Sequence, residues 1–189
     1  MSVPAPYLKT EDLKDMYIFL DNDFLGSIFS DVELLHGSLE LVGEQLVIST
    51  FTRIEFLRDV YLPEIRKKKE SFLESKVFLP MADHQIVFEK TRENALLLSR
   101  LYAHNKKVGA SLVDLLLAGT LMMYEKAVLV TGNKKDFPSF LFDTVGVMNF
   151  EQVDGGMRAI SVVKFNPDKF RACESAYEKL SAGKKEAVP

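Results

Sequence analysis

Four acidic residues lie where a carboxylate could do chemistry, at the exposed ends or in the first turns of apolar segments. Asp21 closes the apolar run Met16–Leu20. Five apolar residues bounded by acids predict a fully buried strand in the middle of a parallel sheet. The carboxyl ends of such strands line the crevice in which open α/β sheets bind their ligands. The other three acids are Glu55, Asp114 and Asp136.

The surroundings of these three acids favour a shared site. Glu55 lies in the first turns of a predicted helix, Asp114 lies early in the most apolar predicted helix, and Asp136 follows a predicted buried strand. A carboxylate between Val113 and Leu115 is expensive to bury unless it has a partner. Converging carboxylates repel one another, so a cluster of three or four indicates a divalent cation. Oxygen ligands alone suit Mg²⁺ or Mn²⁺.

Each acid also has a purely structural interpretation. Asp21 or Asp23 could N-cap the following helix; for Asp23 a cap is favoured over a further metal ligand. The early-helix position of Asp114 places its carboxylate near free N–H groups and the positive end of the helix dipole. At the level of the sequence these alternatives stay open.

The segments that would position the acids alternate between strand and helix. Strands are predicted near residues 16–20, 45–48, 76–79, 127–130, 145–150 and 158–165. Helices are predicted over residues 24–43, 49–62, 64–75, 83–102, 111–123, 139–142 and 166–180, with Ser49, Asp83 and Ser111 as N-caps. The turn signal Asp154-Gly155-Gly156 predicts a hairpin. We therefore expect a three-layer α/β/α sandwich with a mainly parallel central sheet and a C-terminal antiparallel hairpin plus helix.

Length and composition indicate one main domain. The 189 residues are 47% hydrophobic and 27% charged, with a net charge of −3. We expect an N-terminal arm at 1–15, the domain at 16–165, and a C-terminal helix and tail at 166–189. The net charge gives no global signal for nucleic-acid binding. The single cysteine, the lack of a membrane-length apolar run and the polar N-terminus predict a cytoplasmic protein without membrane contact.

Four short motifs carry a family resemblance. MYIFLDNDFL, TRIEFL, SLVDLLLAGT and VLVTGNKKDF follow one another along residues 16–150. In this order and at these separations they resemble the PIN-domain family of metal-dependent nucleases, whose bacterial members are mostly toxins of toxin–antitoxin pairs of the VapC type. The resemblance implies cleavage of RNA by a Mg²⁺- or Mn²⁺-activated water, without a covalent enzyme intermediate.

The resemblance also assigns roles to particular residues. It implies that Asp21, Asp114 and Asp136 hold the metal and that Glu55 is the second acid of the catalytic set. Three supporting residues would form hydrogen bonds around the metal-bound water or a phosphate; they are Asn22, Thr131 and Asn133. The first motif departs from the family pattern, because Asn22 stands where a serine or threonine is usual.

Partners follow from the same resemblance and from the charge pattern. Arg53, Lys134 and Lys135 flank the proposed acidic site in sequence and are predicted to hold the RNA backbone. Apolar surplus on the helices predicted at 23–42 and 50–62 suggests a surface for an antitoxin peptide or a homodimer.

Two other functions compete with the nuclease. One is a PIN-like fold kept as an RNA- or protein-binding module without strong catalysis. The other is a phosphatase of the haloacid-dehalogenase type, because Asp21-Asn22-Asp23 after a buried strand also resembles the nucleophile motif of that class. The phosphatase ranks lower, since it leaves Glu55 and Asp114 without a role and needs a later strand that ends in a pair of acids.

Overall fold

A computed structural model describes residues 8–31, 33–37, 46–81, 84–105, 109–151 and 156–185. Its strands are β1 Tyr17–Leu20, β2 Leu46–Ile48, β3 Phe78–Pro80, β4 Ala127–Thr131, β5 Phe142–Glu151 and β6 Met157–Phe165. Its helices are α1 Asn22–Ser30, α2 at 33–37, α3 Thr50–Arg58, α4 Pro63–Leu73, α5 Gln85–His104, α6 Leu112–Leu121 and α7 Pro167–Lys185. Short 3-10 helices cover Thr10–Leu13 and Lys134–Asp136.

The described strands form one six-stranded sheet in the order β3-β2-β1-β4-β6-β5. The first four positions are parallel, and Leu20 of β1 pairs with Val130 of β4. β6 runs antiparallel to β4 and to β5. The predicted fold class, a mainly parallel sheet that ends in an antiparallel hairpin and a helix, is confirmed. Because β1 and β4 are adjacent and parallel, their carboxyl ends meet at the same edge of the sheet.

Helices cover both faces of this sheet and give three layers. Successive side chains of a strand point to opposite faces. Ile18 and Leu20 of β1 pack with α1, α3 and α4, whereas Phe19 packs with α5 and α6. All three side chains are at most 2% exposed, and burial of each contributes about 1.5–3 kcal/mol. The central strand that carries Asp21 is thus fixed from both sides.

Several predicted boundaries are wrong, and local chemistry explains most of the differences. The helix predicted over 24–43 ends at Ser30, because the Asp31 carboxylate accepts a hydrogen bond from the Leu34 N–H and begins the separate helix α2. Residues 38–43 lie outside the described ranges. The helix predicted over 49–62 ends at Arg58. Pro63 begins α4 at the first turn, where a missing N–H is harmless.

Two further predictions on helices differ from the structure. The N-cap of α5 is His84, and the predicted cap Asp83 lies outside the described residues. Residues 139–142 form no helix: the N–H groups of Leu141 and Phe142 donate to the Pro138 carbonyl in a tight turn, and β5 begins at Phe142. The hairpin between β5 and β6 is confirmed, although residues 152–155 of its turn are outside the described ranges.

The segment before β1 packs on the domain. Leu13 is buried, Leu8 contacts the core, and the Leu8 N–H donates to the Val147 carbonyl of β5. At the other end, α7 packs on the α5 side of the sheet through Phe170 and Tyr177. None of the helices in the described ranges is long and apolar enough to cross a bilayer.

Candidate functional site

Asp21 lies directly after β1, at the carboxyl edge of the sheet. Its N–H donates to the Val130 carbonyl of β4 at 3.1 Å, so the strand pairing continues up to this residue. Asp21 is the N-cap of α1, and its Oδ1 accepts a hydrogen bond from the Asn22 N–H at 2.7 Å. The side chain is buried, with 6% exposure. The structural role predicted for either Asp21 or Asp23 therefore belongs to Asp21.

Thr131 connects the end of β4 to Asp21. Its hydroxyl donates to Asp21 Oδ2 at 2.6 Å and accepts a hydrogen bond from the Asn133 N–H at 2.9 Å. Thr131 is fully buried. Both carboxylate oxygens of Asp21 are thus held by donors, and the loop after β4 is fixed to the end of β1.

The environment of Asp21 favours its protonated form. The pKa of Asp21 is raised from 3.8 to about 7, and burial is the largest cause. Hydrogen bonds from the Thr131 hydroxyl and the Asn22 N–H lower this pKa in part. Repulsion by the carboxylates of Asp23 and Asp114 raises it. A buried carboxyl with this pKa beside other acids is typical of functional sites.

Glu55 on α3 belongs to the same acidic region. Its pKa is raised, first by burial and then by repulsion from Asp114. The nearby Arg58 guanidinium lowers it, and Asp23 raises it. Asp114 therefore raises the pKa of both Asp21 and Glu55, which indicates that the acids after β1, on α3 and on α6 lie near one another.

Asp114 on α6 has the structural role that its early-helix position suggested. Ser111 caps the helix as predicted, and the two residues form a capping box. The Ser111 N–H donates to Asp114 Oδ2 at 2.7 Å, and the Asp114 N–H donates to the Ser111 hydroxyl at 3.1 Å. One carboxylate oxygen of Asp114 is thereby engaged in capping.

Asp136 is buried in the short helix after β4. The Asn133 side-chain amide donates to its Oδ2, and the Tyr102 hydroxyl donates to its backbone carbonyl at 2.8 Å. Tyr102 is a contributor that sequence reasoning missed. Burial raises its pKa, and Asp114 and Asp136 raise it further. Tyr102 sits within an apolar stripe of α5, so its pattern signalled only a core position.

Asp23 forms an ion pair in place of the predicted helix cap. Its Oδ2 accepts from Arg158 Nη2 at 2.9 Å, and its Oδ1 accepts from the Gly132 N–H at 3.3 Å. Arg158 of β6 also donates to the Ser27 hydroxyl at 2.6 Å. Arg158 was not predicted as a site residue, because its contact with Asp23 depends on the pairing of β6 beside β4.

The basic residues predicted to bind RNA occupy two positions. Lys134 and Lys135 are exposed on the short helix that ends at Asp136, at the rim of the acidic region. Arg53 lies on α3, where its Nη2 is 3.8 Å from Glu74, and it lines a cleft of about 620 Å³ that reaches to Lys76.

The donor chemistry suits a hard cation, but the side chains are not arranged to hold one. Within the described ranges, no three His, Cys, Asp or Glu side chains lie close enough together to bind a metal ion as they stand. Asp21, Asp114 and Asp136 each give a carboxylate oxygen to a protein donor. The site is therefore an acidic region of hydrogen-bonded carboxyls and not a preformed cation cage.

Comparisons with known proteins add no family assignment. No protein-family model matches the chain, and neither characterised proteins nor solved structures gave a match.

Proposed function

We propose that this protein is a Mg²⁺- or Mn²⁺-dependent endoribonuclease of the PIN type. The observation that carries the proposal is the electrostatic coupling of Asp21, Glu55 and Asp114, three acids from separate elements, at the carboxyl edge of a parallel sheet. Asp136 adds a fourth acid, which acts with Asp114 on Tyr102. The order of the four sequence motifs supports the same reading.

The proposed cation ligands are Asp21, Asp114 and Asp136. A bound Mg²⁺ or Mn²⁺ would supply an activated water and would stabilise negative charge on a phosphodiester. Since no three acids are gathered around a cation position within the described ranges, the proposal requires these carboxylates to move closer together when the cation binds.

The protein's own polar groups would position the acids and the RNA. The Thr131 hydroxyl orients the Asp21 carboxyl through a 2.6 Å hydrogen bond, and the Asn133 amide orients Asp136. Lys134 and Lys135 at the rim would contact phosphates. Such contacts make RNA affinity fall as the salt concentration rises.

A binding module without strong catalysis is the second candidate. The observation in its favour is that Asp114 serves in a capping box, which satisfies its carboxylate without a cation. A phosphatase of the haloacid-dehalogenase type has less support. β6 is antiparallel to β4, so its carboxyl end lies at the opposite edge of the sheet. β5 runs parallel to β4 and, in the described ranges, ends in the single acid Glu151 and not in a pair of acids.

A protein partner is proposed on exposed apolar side chains of α3, α4 and their connection. Ile54 is 60% exposed, Tyr61 90% and Leu62 61%. The apolar residues Phe24, Leu25 and Ile28 of α1 are buried, so that helix adds no comparable surface. An antitoxin peptide or a second copy of the chain would cover this face. Sedimentation of the wild type and of Tyr61→Glu tests the homodimer: loss of a dimer in the variant supports it, and a wild-type monomer opposes it.

RNA cleavage by the purified protein tests the nuclease. The assay compares Mg²⁺, Mn²⁺ and chelator, with the variants Asp21→Asn and Asp114→Asn. The matched control is Glu125→Gln, an exposed acid before β4 at the opposite edge of the sheet. We expect metal-dependent cleavage that both site variants lose and the control keeps. RNA binding without cleavage by the wild type would favour the binding module.

A further inference from the structure

Arg158 connects β6 to the start of α1, beside the acidic region. Its Nη1 donates to the Ser27 hydroxyl at 2.6 Å, and its Nη2 donates to Asp23 Oδ2 at 2.9 Å. β6 is antiparallel to β4, so the beginning of β6 lies at the same sheet edge as the carboxyl end of β4. Arg158 therefore reaches the acidic region from its own strand.

Gly132 shows how closely this guanidinium approaches the proposed centre. A Cβ added at Gly132 would lie 2.5 Å from Asp23 Oδ2 and 2.8 Å from Arg158 Nη2. A side chain at this position would have to displace the Asp23 carboxylate and the Arg158 guanidinium. Gly132 directly follows Thr131, whose hydroxyl donates to Asp21. The ion pair is thus packed against the backbone one residue away from the hydrogen bond that orients Asp21.

The Arg158 guanidinium has donor capacity beyond these two contacts. It carries five N–H groups in a planar fork. Within the described part of the chain, its hydrogen bonds go to Ser27 and Asp23, and its side chain is 32% exposed. An ion pair this exposed stabilises a fold little, so stability alone gives a weak reason for the arrangement.

We propose that Arg158 binds a phosphate of the RNA strand beside the acidic centre and that Asp23 is its counter-ion when RNA is absent. The proposal rests on the proposed function, because the phosphate is that of the RNA substrate. A planar guanidinium matches two phosphate oxygens with parallel hydrogen bonds. Asp23 competes with the phosphate for the same donors, and Ser27 keeps the guanidinium in place during the exchange.

The proposal predicts opposite effects for the two members of the ion pair. Arg158→Gln should weaken binding of a short fluorescent single-stranded RNA about tenfold and lower the slope of log affinity against log salt by about 0.7. Asp23→Asn should strengthen binding about twofold to fivefold, because the phosphate no longer displaces a carboxylate. If the ion pair had only a structural role, both variants would change RNA affinity in the same direction, because either variant breaks the pair.

Binding is measured by fluorescence anisotropy in chelator, so that cleavage does not interfere. The Asp168–Arg171 ion pair on α7 supplies matched controls. It lies just after the end of β6 and therefore at the opposite sheet edge. Asp168→Asn and Arg171→Gln change the net charge by the same amounts, and we expect both to leave RNA affinity unchanged. Circular dichroism of every variant confirms folding, and Arg158→Lys, which keeps the charge, should bind RNA between wild type and Arg158→Gln.

Weaker RNA binding by Arg158→Gln and tighter RNA binding by Asp23→Asn, with unchanged binding by both control variants, support the phosphate site. The phosphate site is overturned if both variants change RNA affinity in the same direction, if Arg158→Gln leaves the affinity unchanged, or if the wild type binds no RNA. Failure of the nuclease is seen separately: binding with the expected signs but no cleavage in Mg²⁺ or Mn²⁺ upholds the phosphate contact and refutes the catalytic function.

Discussion

The substitution Asp21→Asn should stabilise the metal-free protein at neutral and alkaline pH. Asp21 is 6% exposed, and its pKa rises from 3.8 to about 7 chiefly because burial disfavours the charged form. Asparagine keeps the shape and carries no charge at any pH. The variant therefore removes the unfavourable ionisation of a buried carboxyl.

The magnitude follows from linkage between protonation and folding. Between the unfolded pKa of 3.8 and the folded pKa of about 7, the folded state holds the Asp21 proton more tightly than the unfolded chain. The stability contributed by this proton is complete below 3.8 and is lost as the pH rises to about 7. From pH 5 to pH 8 the wild type should lose about 3 kcal/mol of unfolding free energy relative to Asp21→Asn. The slope is roughly 1.4 kcal/mol per pH unit up to the folded pKa and flattens above it.

Urea denaturation of both proteins in chelator, at several pH values from 5 to 8, measures this difference. Subtracting the two free energies of unfolding cancels the titration of all groups that behave alike in both proteins. The control Glu125→Gln changes an exposed acid at the other edge of the sheet and keeps Asp21, so its stability should fall over this pH range as that of the wild type does. A difference between wild type and Asp21→Asn that is constant over this pH range would refute the raised pKa.

Two further substitutions test the structure around the site. Thr131→Val removes the hydroxyl that donates to Asp21, and we expect the free energy of unfolding to fall by about 2 kcal/mol. Because that hydrogen bond lowers the pKa of Asp21, the loss of stability with rising pH should move to higher pH in the same urea series. Thr131→Ser should keep both the stability and its pH dependence near those of the wild type. Gly119→Ala on α6 would place a Cβ 2.7 Å from the Thr91 carbonyl oxygen and should cost about 1–3 kcal/mol in thermal unfolding. The control Gly26→Ala meets no atom within 4 Å and should be neutral or stabilising; equal effects at the two glycines would contradict the α5–α6 packing.

The central strands and the order of the layers could be predicted from local pattern. β1 and β4 are nearly uninterrupted apolar runs, and burial on both faces of a parallel sheet requires such runs. The acids after β1 and β4 could also be placed, since the carboxyl ends of adjacent parallel strands share one edge. Ser49 and Ser111 as helix caps follow from hydroxyl chemistry next to the first turn.

Long-range pairing explains what local pattern missed. The spacing of Ser139–Phe142 resembles a helical turn, but Phe142 pairs with Phe165 across the β5–β6 ladder and packs edge-on against Phe137. Arg158 contacts Asp23 across 135 positions of sequence, and only the register of β6 against β4 brings the two together. No local propensity contains that register.

The single most direct test of the acidic centre is Mn²⁺ binding followed by electron paramagnetic resonance of the free ion. We expect the wild type to bind Mn²⁺ and Asp21→Asn and Asp114→Asn each to weaken binding roughly tenfold or more, since even loss of a group that hydrogen-bonds to a metal ligand typically costs that much. Glu125→Gln should bind like the wild type. A wild type that binds no Mn²⁺, or equal binding by all four proteins, would contradict a cation site built from these carboxylates.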